Sequence, residues 1–293
     1  MDFDIEKLFP NSFLKDYQFK EDEYPDEDGL PMCKKCNTKR YFIVDFDGEK
    51  KAHYSRCKCQ EEAYQKQKEE EKRAENLRKF RDRQKMSELG KKYLEASFET
   101  ATITDHNREA YRKCVNYAKN SREVYNQNIG LYIYGDNSSG KSYLMACLCN
   151  ELVAQGYNCL YTSVPSILAE IQSSYTDDTA MSQARVVTMI ASKSFVFIDD
   201  LGKEFLGREG NPGAAKFAEK VLLEVLNARY NNGRPTIFSS NYSISELAET
   251  FALDKAIIER INEMSTRVMK LEGDNFRDSA RELKSNLAKK LGI

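Results

Sequence analysis

One stretch constrains the fold of this chain more than any other: GLYIYGDNSSGKSYLMACLCNEL, residues 130–152. A short apolar run at 131–134 leads into Gly-x4-Gly-Lys-Ser. Apolar residues then recur at Leu144, Cys147, Leu148 and Leu152, the spacing of one helix face. Strand, glycine-rich turn and helix in that order build a loop whose backbone N–H groups can surround an oxyanion. The start of the helix adds a field that favours negative charge. Lys141 is then placed to reach the β- and γ-phosphates of a nucleotide, and Ser142 to set its hydroxyl on Mg²⁺. The nucleotide-binding candidates are therefore Gly135, Asp136, Asn137, Ser138, Ser139, Gly140, Lys141, Ser142 and Tyr143.

The pattern continues along the chain. Residues 158–162 (NCLYT), 194–198 (SFVFI) and 235–240 (PTIFSS) are further strand candidates. Helical spacing covers 143–154, begins again at 165–173 and returns at 214–230. Alternating strands and helices predict an α/β fold, a mostly parallel sheet covered by helices on both faces.

Two of these strands end in polar residues suited to chemistry on a phosphate. FVFIDDLGKE places Asp199 and Asp200 at the C-terminal end of an apolar run, where burial is costly unless charge or solvent meets them. That edge of a parallel sheet is also where ligands sit. Asp199 is the candidate for holding Mg²⁺ and Asp200 for polarising an attacking water. Asn241, after PTIFSS, is placed to hold that water or sense the γ-phosphate, though asparagine is also an ordinary turn residue. Farther on, AIIERINEMSTRVMKLEGDNFR carries Arg260, Arg267 and Arg277. An arginine from a neighbouring subunit can neutralise charge in phosphoryl transfer, and a solvated helix charge is the plain alternative.

Three regions differ in composition. Residues 1–60 lack long apolar runs and hold a cysteine cluster, residues 61–92 are almost wholly charged or polar, and apolar content rises from 93 to 293. The middle region is rich in strong helix formers and reads as an exposed connecting helix. The 45 basic and 46 acidic residues leave a net charge of −1, so overall charge steers the chain to no particular partner. No run of about 18 apolar residues is present, which predicts no membrane span. The acidic N-terminus lacks the form of a secretory signal, so a cytoplasmic protein is expected.

Eight cysteines in such a chain are not expected to form a disulfide framework. Cys114, Cys147, Cys149 and Cys159 lie among apolar residues and read as buried thiols. Cys33-x2-Cys36 and Cys57-x-Cys59 flank a strand-like segment at 39–46 (KRYFIVDF), which can bring four thiolates to a tetrahedral Zn²⁺. A region this short buries little apolar surface and benefits from such a staple. The tight Cys-x-Cys spacing leaves His53 as an alternative ligand to Cys57 or Cys59.

Together, YGDNSSGKSYL, FVFIDDLGKE, EVLNARY, RPTIFSSNYSISEL and IIERI resemble the DnaC/DnaI/IstB-like branch of AAA+ ATPases, over roughly residues 93–280. The resemblance implies a P-loop α/β core and self-association into a ring or spiral. It also implies ATP-controlled grip on single-stranded DNA and service to a DnaB-like hexameric replicative helicase. By position, Gly135 to Ser142 are similar to a Walker A loop, Asp199 and Asp200 to a Walker B pair, and Asn241 to sensor 1. Arg260 matches the arginine finger, Arg277 a second sensor, and Arg229 a recurring family arginine. Ser138 stands where family loops often have glycine, at a position that can require positive φ.

DnaI-type loaders have a small zinc-binding N-terminal domain, which implies that residues 1–60 dock on the helicase and 93–293 form the motor. The resemblance also covers transposition helpers of the IstB kind and leaves a nucleotide-bound adaptor without turnover open. For DNA contacts, the basic segment 78–85 with Phe80, and Lys203, Arg208 and Lys216, are the candidates.

Overall fold

The computed structural model describes residues 17–46, 49–82, 91–173, 182–202, 205, 212–251, 253–272, 285 and 288–290. The chain divides into two compact units, Met1–Lys72 and Arg73–Ile293.

In the first unit, β1 (Glu23–Pro25) pairs antiparallel with β2 (Pro31–Cys33), and β3 (Tyr41–Phe46) with β4 (Glu49–Tyr54). Its apolar core is small: Leu30, Tyr41 and Ala52 are buried, with Tyr17 and Tyr54 packed against them. A polar network does the rest. Arg40, 1% exposed, donates to Glu23 at 2.6 Å, to Asp22 at 2.5 Å and to the Sγ of Cys33 at 3.5 Å. The Tyr17 hydroxyl donates to the other oxygen of Glu23 at 2.6 Å, so this buried carboxylate is fully engaged. Composition carried no sign of this network.

Helix α1 (Lys58–Asp82) begins in the first unit, and its C-terminal part belongs to the second. It is exposed along most of its length, as expected, and its C-terminal part is also anchored. Arg73 pairs with Glu151 at 2.8 Å, the Asn76 amide donates to the Ala154 carbonyl, and Leu77 and Phe80 pack on the core. Phe80 is partly buried there; residues 83–85 of that basic segment lie outside the described residues.

The second unit continues with α2 (Lys91–Leu94), α3 (Arg108–Lys119) and α4 (Ser121–Asn126). The regular alternation follows: β5 (Leu131–Tyr134), α5 (Lys141–Ala154), β6 (Cys159–Ser163), α6 (Val164–Ser173), α7 (Gln183–Ser192) and β7 (Phe195–Leu201). It ends with α8 (Pro212–Asn231), β8 (Thr236–Ser240), α9 (Ile244–Phe251), α10 (Lys255–Met264) and β9 (Arg267–Lys270). The strands form one parallel sheet in the order β6-β7-β8-β5-β9.

The strands read as unbroken apolar runs because both faces are covered. Leu131, Ile133, Tyr161, Phe195, Phe197 and Ile237 enter one apolar cluster with α3 and α5. Their neighbours Tyr132, Leu160, Val196, Ile198 and Phe238 enter the opposite cluster with α6 to α10. Cys114, Cys147, Cys149 and Cys159 are buried thiols, as expected, and burial pushes Cys114 and Cys147 up to about 12.

Strand β9 was not foreseen. Arg267 lies on this edge strand, exposed, rather than on a helix. Arg229 has a structural place that its motif did not reveal. It is fully buried and donates to Thr236 Oγ1 and to the carbonyls of Ile190, Lys193 and Pro235. Ile190 and Lys193 precede β7, and Pro235 and Thr236 stand at the start of β8, so one guanidinium pins the end of the sheet opposite to the polar strand ends. Burial lowers its pKa to about 9, and the adjacent end of α7 offers the partial negative charge of a helix C-terminus in return.

Candidate functional site

The P-loop follows β5 directly. Gly135 has no alternative: a Cβ there would sit 2.2 Å from the Leu271 carbonyl oxygen, beyond β9. Gly140, at φ 94°, turns the chain into α5 and brings no side chain to cap the helix, so its N-terminal amides face the loop. Lys141 is buried, and its ammonium donates to the carbonyls of Gly135 at 2.7 Å and Asp136 at 2.8 Å. Asp136 and Asn137 are exposed at the loop tip, and Ser139 is buried. Ser138 adopts φ 68°, the left-handed conformation expected to favour glycine, and carries that strain as a serine. Tyr143 turns its hydroxyl to Thr100 at 3.1 Å and packs partly against the core.

Strand β8 lies between β5 and β7, which brings three motifs to one sheet edge. The pairing of β7 with β8 slips here: Ile198 faces Phe238 but Leu201 faces Ser240, so Asp199 and Asp200 together oppose Ser239. This is a β-bulge, and it re-aims the two acidic side chains at the strand end. Asp200 takes φ 57°, which aspartate tolerates better than most residues. Its N–H donates to Ser239 Oγ at 3.0 Å and to Asp199 Oδ1 at 3.1 Å. Ser239 in turn donates to Asp199 Oδ1, and the Tyr161 hydroxyl donates to Asp199 Oδ2 at 2.7 Å. Sequence reading missed Tyr161 and Ser239. Their only signal was a hydroxyl in a buried strand, shared with Thr162 and Ser163 on β6 and with Thr236 and Ser240 on β8.

Asn241 follows β8, and its Oδ1 is buried without a hydrogen-bond partner among the described residues, as is the Oγ of Ser139 in the loop. Buried polar atoms of this kind are costly unless a ligand or water meets them. With the uncapped helix start and the acidic pair, they form a donor and acceptor set that fits a magnesium nucleotide. Arg260 is engaged elsewhere: it donates to Asn227 at 2.9 Å and Glu263 at 2.6 Å and lies over the Tyr230 ring at 3.9 Å. Arg277, Lys203 and Arg208 lie outside the described residues, and Lys216 is exposed on α8.

In the first unit the thiols of Cys33, Cys36, Cys57 and Cys59 all lie within 4.8 Å of one another. Cys33 and Cys59 are 3.7 Å apart and Cys57 and Cys59 3.4 Å apart. A tetrahedron of Zn–S bonds of about 2.3 Å has edges of about 3.8 Å, so the spacing fits zinc. Helix geometry makes Cys-x-Cys workable. Cys57 stands just before α1 with Gln60 reaching back to its N–H, while Cys59 lies in the first turn. Cys33 and Cys36 flank a turn closed by Asn37 N–H to the Cys33 carbonyl, with Asn37 at φ 51°. Thr38 joins the halves, accepting from Lys58 N–H at 3.0 Å and touching the Cys36 thiol at 3.0 Å. His53 is not part of this group. It stacks on Phe42 with ring centroids 5.5 Å apart, which corrects its candidacy as a ligand.

The profile of the IstB-like ATP-binding proteins matches residues 52–284. The chain belongs to that family. It is 27% identical over 195 residues to the replicative helicase loader DnaI of Bacillus subtilis (strain 168), covering 63% of this chain and 59% of that protein. It is 23% identical to the replicative helicase loader DnaC of Buchnera aphidicola subsp. Baizongia pistaciae, covering 63% of this chain and 70% of that one. The match thus spans less than two thirds of DnaI's length. The crystal structure of the DnaC helicase loader superposes on 62% of this chain and all of that one, with a TM-score of 0.52 and 18% identity. That likeness supports the fold: a five-stranded parallel sheet flanked by helices, as in an AAA+ P-loop core. Among the described residues no helix is long and apolar enough to cross a membrane.

Proposed function

We propose that this chain is an ATP-dependent loader of a DnaB-like hexameric replicative helicase, delivering it to single-stranded DNA in the cytoplasm. The observation that carries the reading is the convergence of the P-loop, the bulged Asp199–Asp200 pair and Asn241 on one sheet edge. Membership of an ATP-binding family, with loaders among the relatives, supports it.

Lys141 and the loop amides would hold the nucleotide's β- and γ-phosphates, and Ser142 and Asp199 would hold Mg²⁺. The bound ion supplies neutralisation of phosphate charge. Asp200 would accept the proton of the attacking water while Asn241 orients it. In a ring or spiral, Arg260 would leave Asn227 and Glu263 to serve a neighbour's site, with Arg277 as a second sensor. Cys33, Cys36, Cys57 and Cys59 would hold a structural Zn²⁺, making residues 1–60 the helicase-docking domain, 61–92 the link and 93–293 the motor.

Co-purification of the full chain with the helicase encoded nearby, in ATP and in ADP, tests the loader reading. A complex whose yield depends on the nucleotide is expected, and no complex in either state removes the reading. Asp200→Asn should lower the DNA-stimulated ATPase rate by about 100-fold; equal rates would sink the hydrolysis step. The strained Ser138 and the anchored Arg260 favour one second reading, an adaptor that binds nucleotide without turnover. It predicts nucleotide-dependent capture of the helicase by a wild-type chain that hydrolyses no ATP.

A further inference from the structure

Asp199 is held from two sides by Tyr161 and Ser239, residues given no role in the site above. We propose that Tyr161 and Ser239 are positioning residues that aim the Asp199 carboxylate at the magnesium of the nucleotide site, with Tyr161 tying it to the first turn of the P-loop helix. The inference rests on the nucleotide reading and names the side chains that tune that site.

Tyr161 is 2% exposed and lies on β6, separated from the P-loop strand β5 by two intervening strands, β7 and β8. Its ring stacks on Phe197 at 6.0 Å between centroids with planes only 12° apart, so the hydroxyl has one place to be. There it meets Asp199 Oδ2 at 2.7 Å and the Ser142 carbonyl at 3.3 Å. Ser142 and Asp199, the two proposed magnesium-holding residues, therefore face each other across a single phenol.

A buried tyrosine needs one hydrogen-bond partner, and the Ser142 carbonyl alone would satisfy it. The shorter contact is instead to a carboxylate, the stronger acceptor. On the other side the bulge sets Ser239 opposite both aspartates. Ser239 accepts from Asp200 N–H and donates to Asp199 Oδ1. Each carboxylate oxygen is thus fixed by a protein hydroxyl; Oδ1 also accepts from Asp200 N–H, so Oδ2, with its single bond to Tyr161, is the oxygen that keeps acceptor capacity for the ion or its waters. Magnesium retains several waters and demands near-octahedral geometry, so the orientation of a carboxylate beside it matters. Outer partners of metal-holding side chains typically change metal affinity by about 10- to 100-fold when removed.

The test is binding of a fluorescent ADP analogue to the full chain, titrated with Mg²⁺ and repeated in EDTA. Tyr161→Phe keeps the ring and removes the hydroxyl, and Ser239→Ala removes the other contact. Each should raise the Mg²⁺ concentration for half-maximal tightening by about tenfold while leaving affinity in EDTA unchanged. A merely structural loss would weaken binding in both buffers, and that result would overturn the proposal. So would a Mg²⁺ midpoint unchanged in both variants while the wild type binds normally. Should Tyr161→Phe fail to fold, the Ser239→Ala midpoint decides alone. A wild-type chain that binds no nucleotide in either buffer overturns the nucleotide reading itself, and this inference with it.

Discussion

The two units hold together by different physics. In Arg73–Ile293, two large apolar clusters sandwich a parallel sheet, and the buried charges Arg229 and Lys141 are met by carbonyls. Among the described residues of Met1–Lys72, the apolar cluster of Leu30, Tyr41 and Ala52 shares the interior with the buried Arg40–Glu23 pair, which Asp22 meets from the surface, and with four clustered thiols. A sheet covered on both faces draws its stability from area removed from water, spread over many residues. A unit with so little apolar interior concentrates it in a few polar or metal-held contacts, where one loss is felt throughout.

The sharpest way to break that contrast is to remove the metal. Chelation of the full chain should unfold the first unit, since structural zinc contributes on the order of 10 kcal/mol in small domains. The second unit should keep its sheet. Amide dispersion by NMR would show both effects, and a first unit that stays folded after chelation would refute the zinc assignment. Next in size, Arg229→Ala should cost the second unit about 3 to 5 kcal/mol in urea unfolding, because buried carbonyls lose their donor. Arg229→Lys should recover only part, lacking the planar fork. A cost below about 1 kcal/mol would show that water replaces the guanidinium.

Acid should then separate the units. Burial raises the Glu23 pKa, but the Lys20 N–H, Tyr17, Arg40 and Tyr54 outweigh it and hold the group at about 2. A carboxylate depressed in the folded state contributes stability above its unfolded pKa and loses it as pH falls through the folded value. The first unit should therefore lose up to about 3 kcal/mol between pH about 4.5 and about 2, and Glu23→Gln should flatten that slope. Tyrosine fluorescence can report it, since the chain has no tryptophan. The smallest effect is expected at the loop. Ser138→Gly should stabilise the second unit by at most about 1 kcal/mol, the relief of a left-handed serine less the entropy glycine adds to the unfolded chain. A destabilisation measured by thermal melting would mean that the serine side chain contributes more than its backbone costs.

Much of the second unit was legible along the chain. Short apolar runs located β5 to β8, and helical spacing between them located α5, α6 and α8, to within a few residues, while α7, α9 and α10 were not placed. Strand β9 escaped because its four residues hold only two apolar side chains, Val268 and Met269, between two charged ones on an edge, a pattern shared with an exposed helix turn. Helix α1 read as exposed throughout because its charges outnumber Leu77 and Phe80, the residues that anchor its C-terminal part. Arg40 and Glu23 looked like any surface charges, since only the pairing of β1 with β2 and the turn before β3 bury them together.

For the site, local sequence determined which residues meet phosphate chemistry, because a strand, a glycine turn and a helix start are contiguous and carry their own geometry. It also determined that four cysteines come in two close pairs. Tertiary structure decided what local sequence does not encode. Strand order put Asn241 between the P-loop and the acidic pair, and a one-residue slip between β7 and β8 turned both aspartates toward that edge. The same packing brought Tyr161 and Ser239 to Asp199 from neighbouring strands. Contacts between strands depend on pairing register, and register is set only when the whole sheet packs.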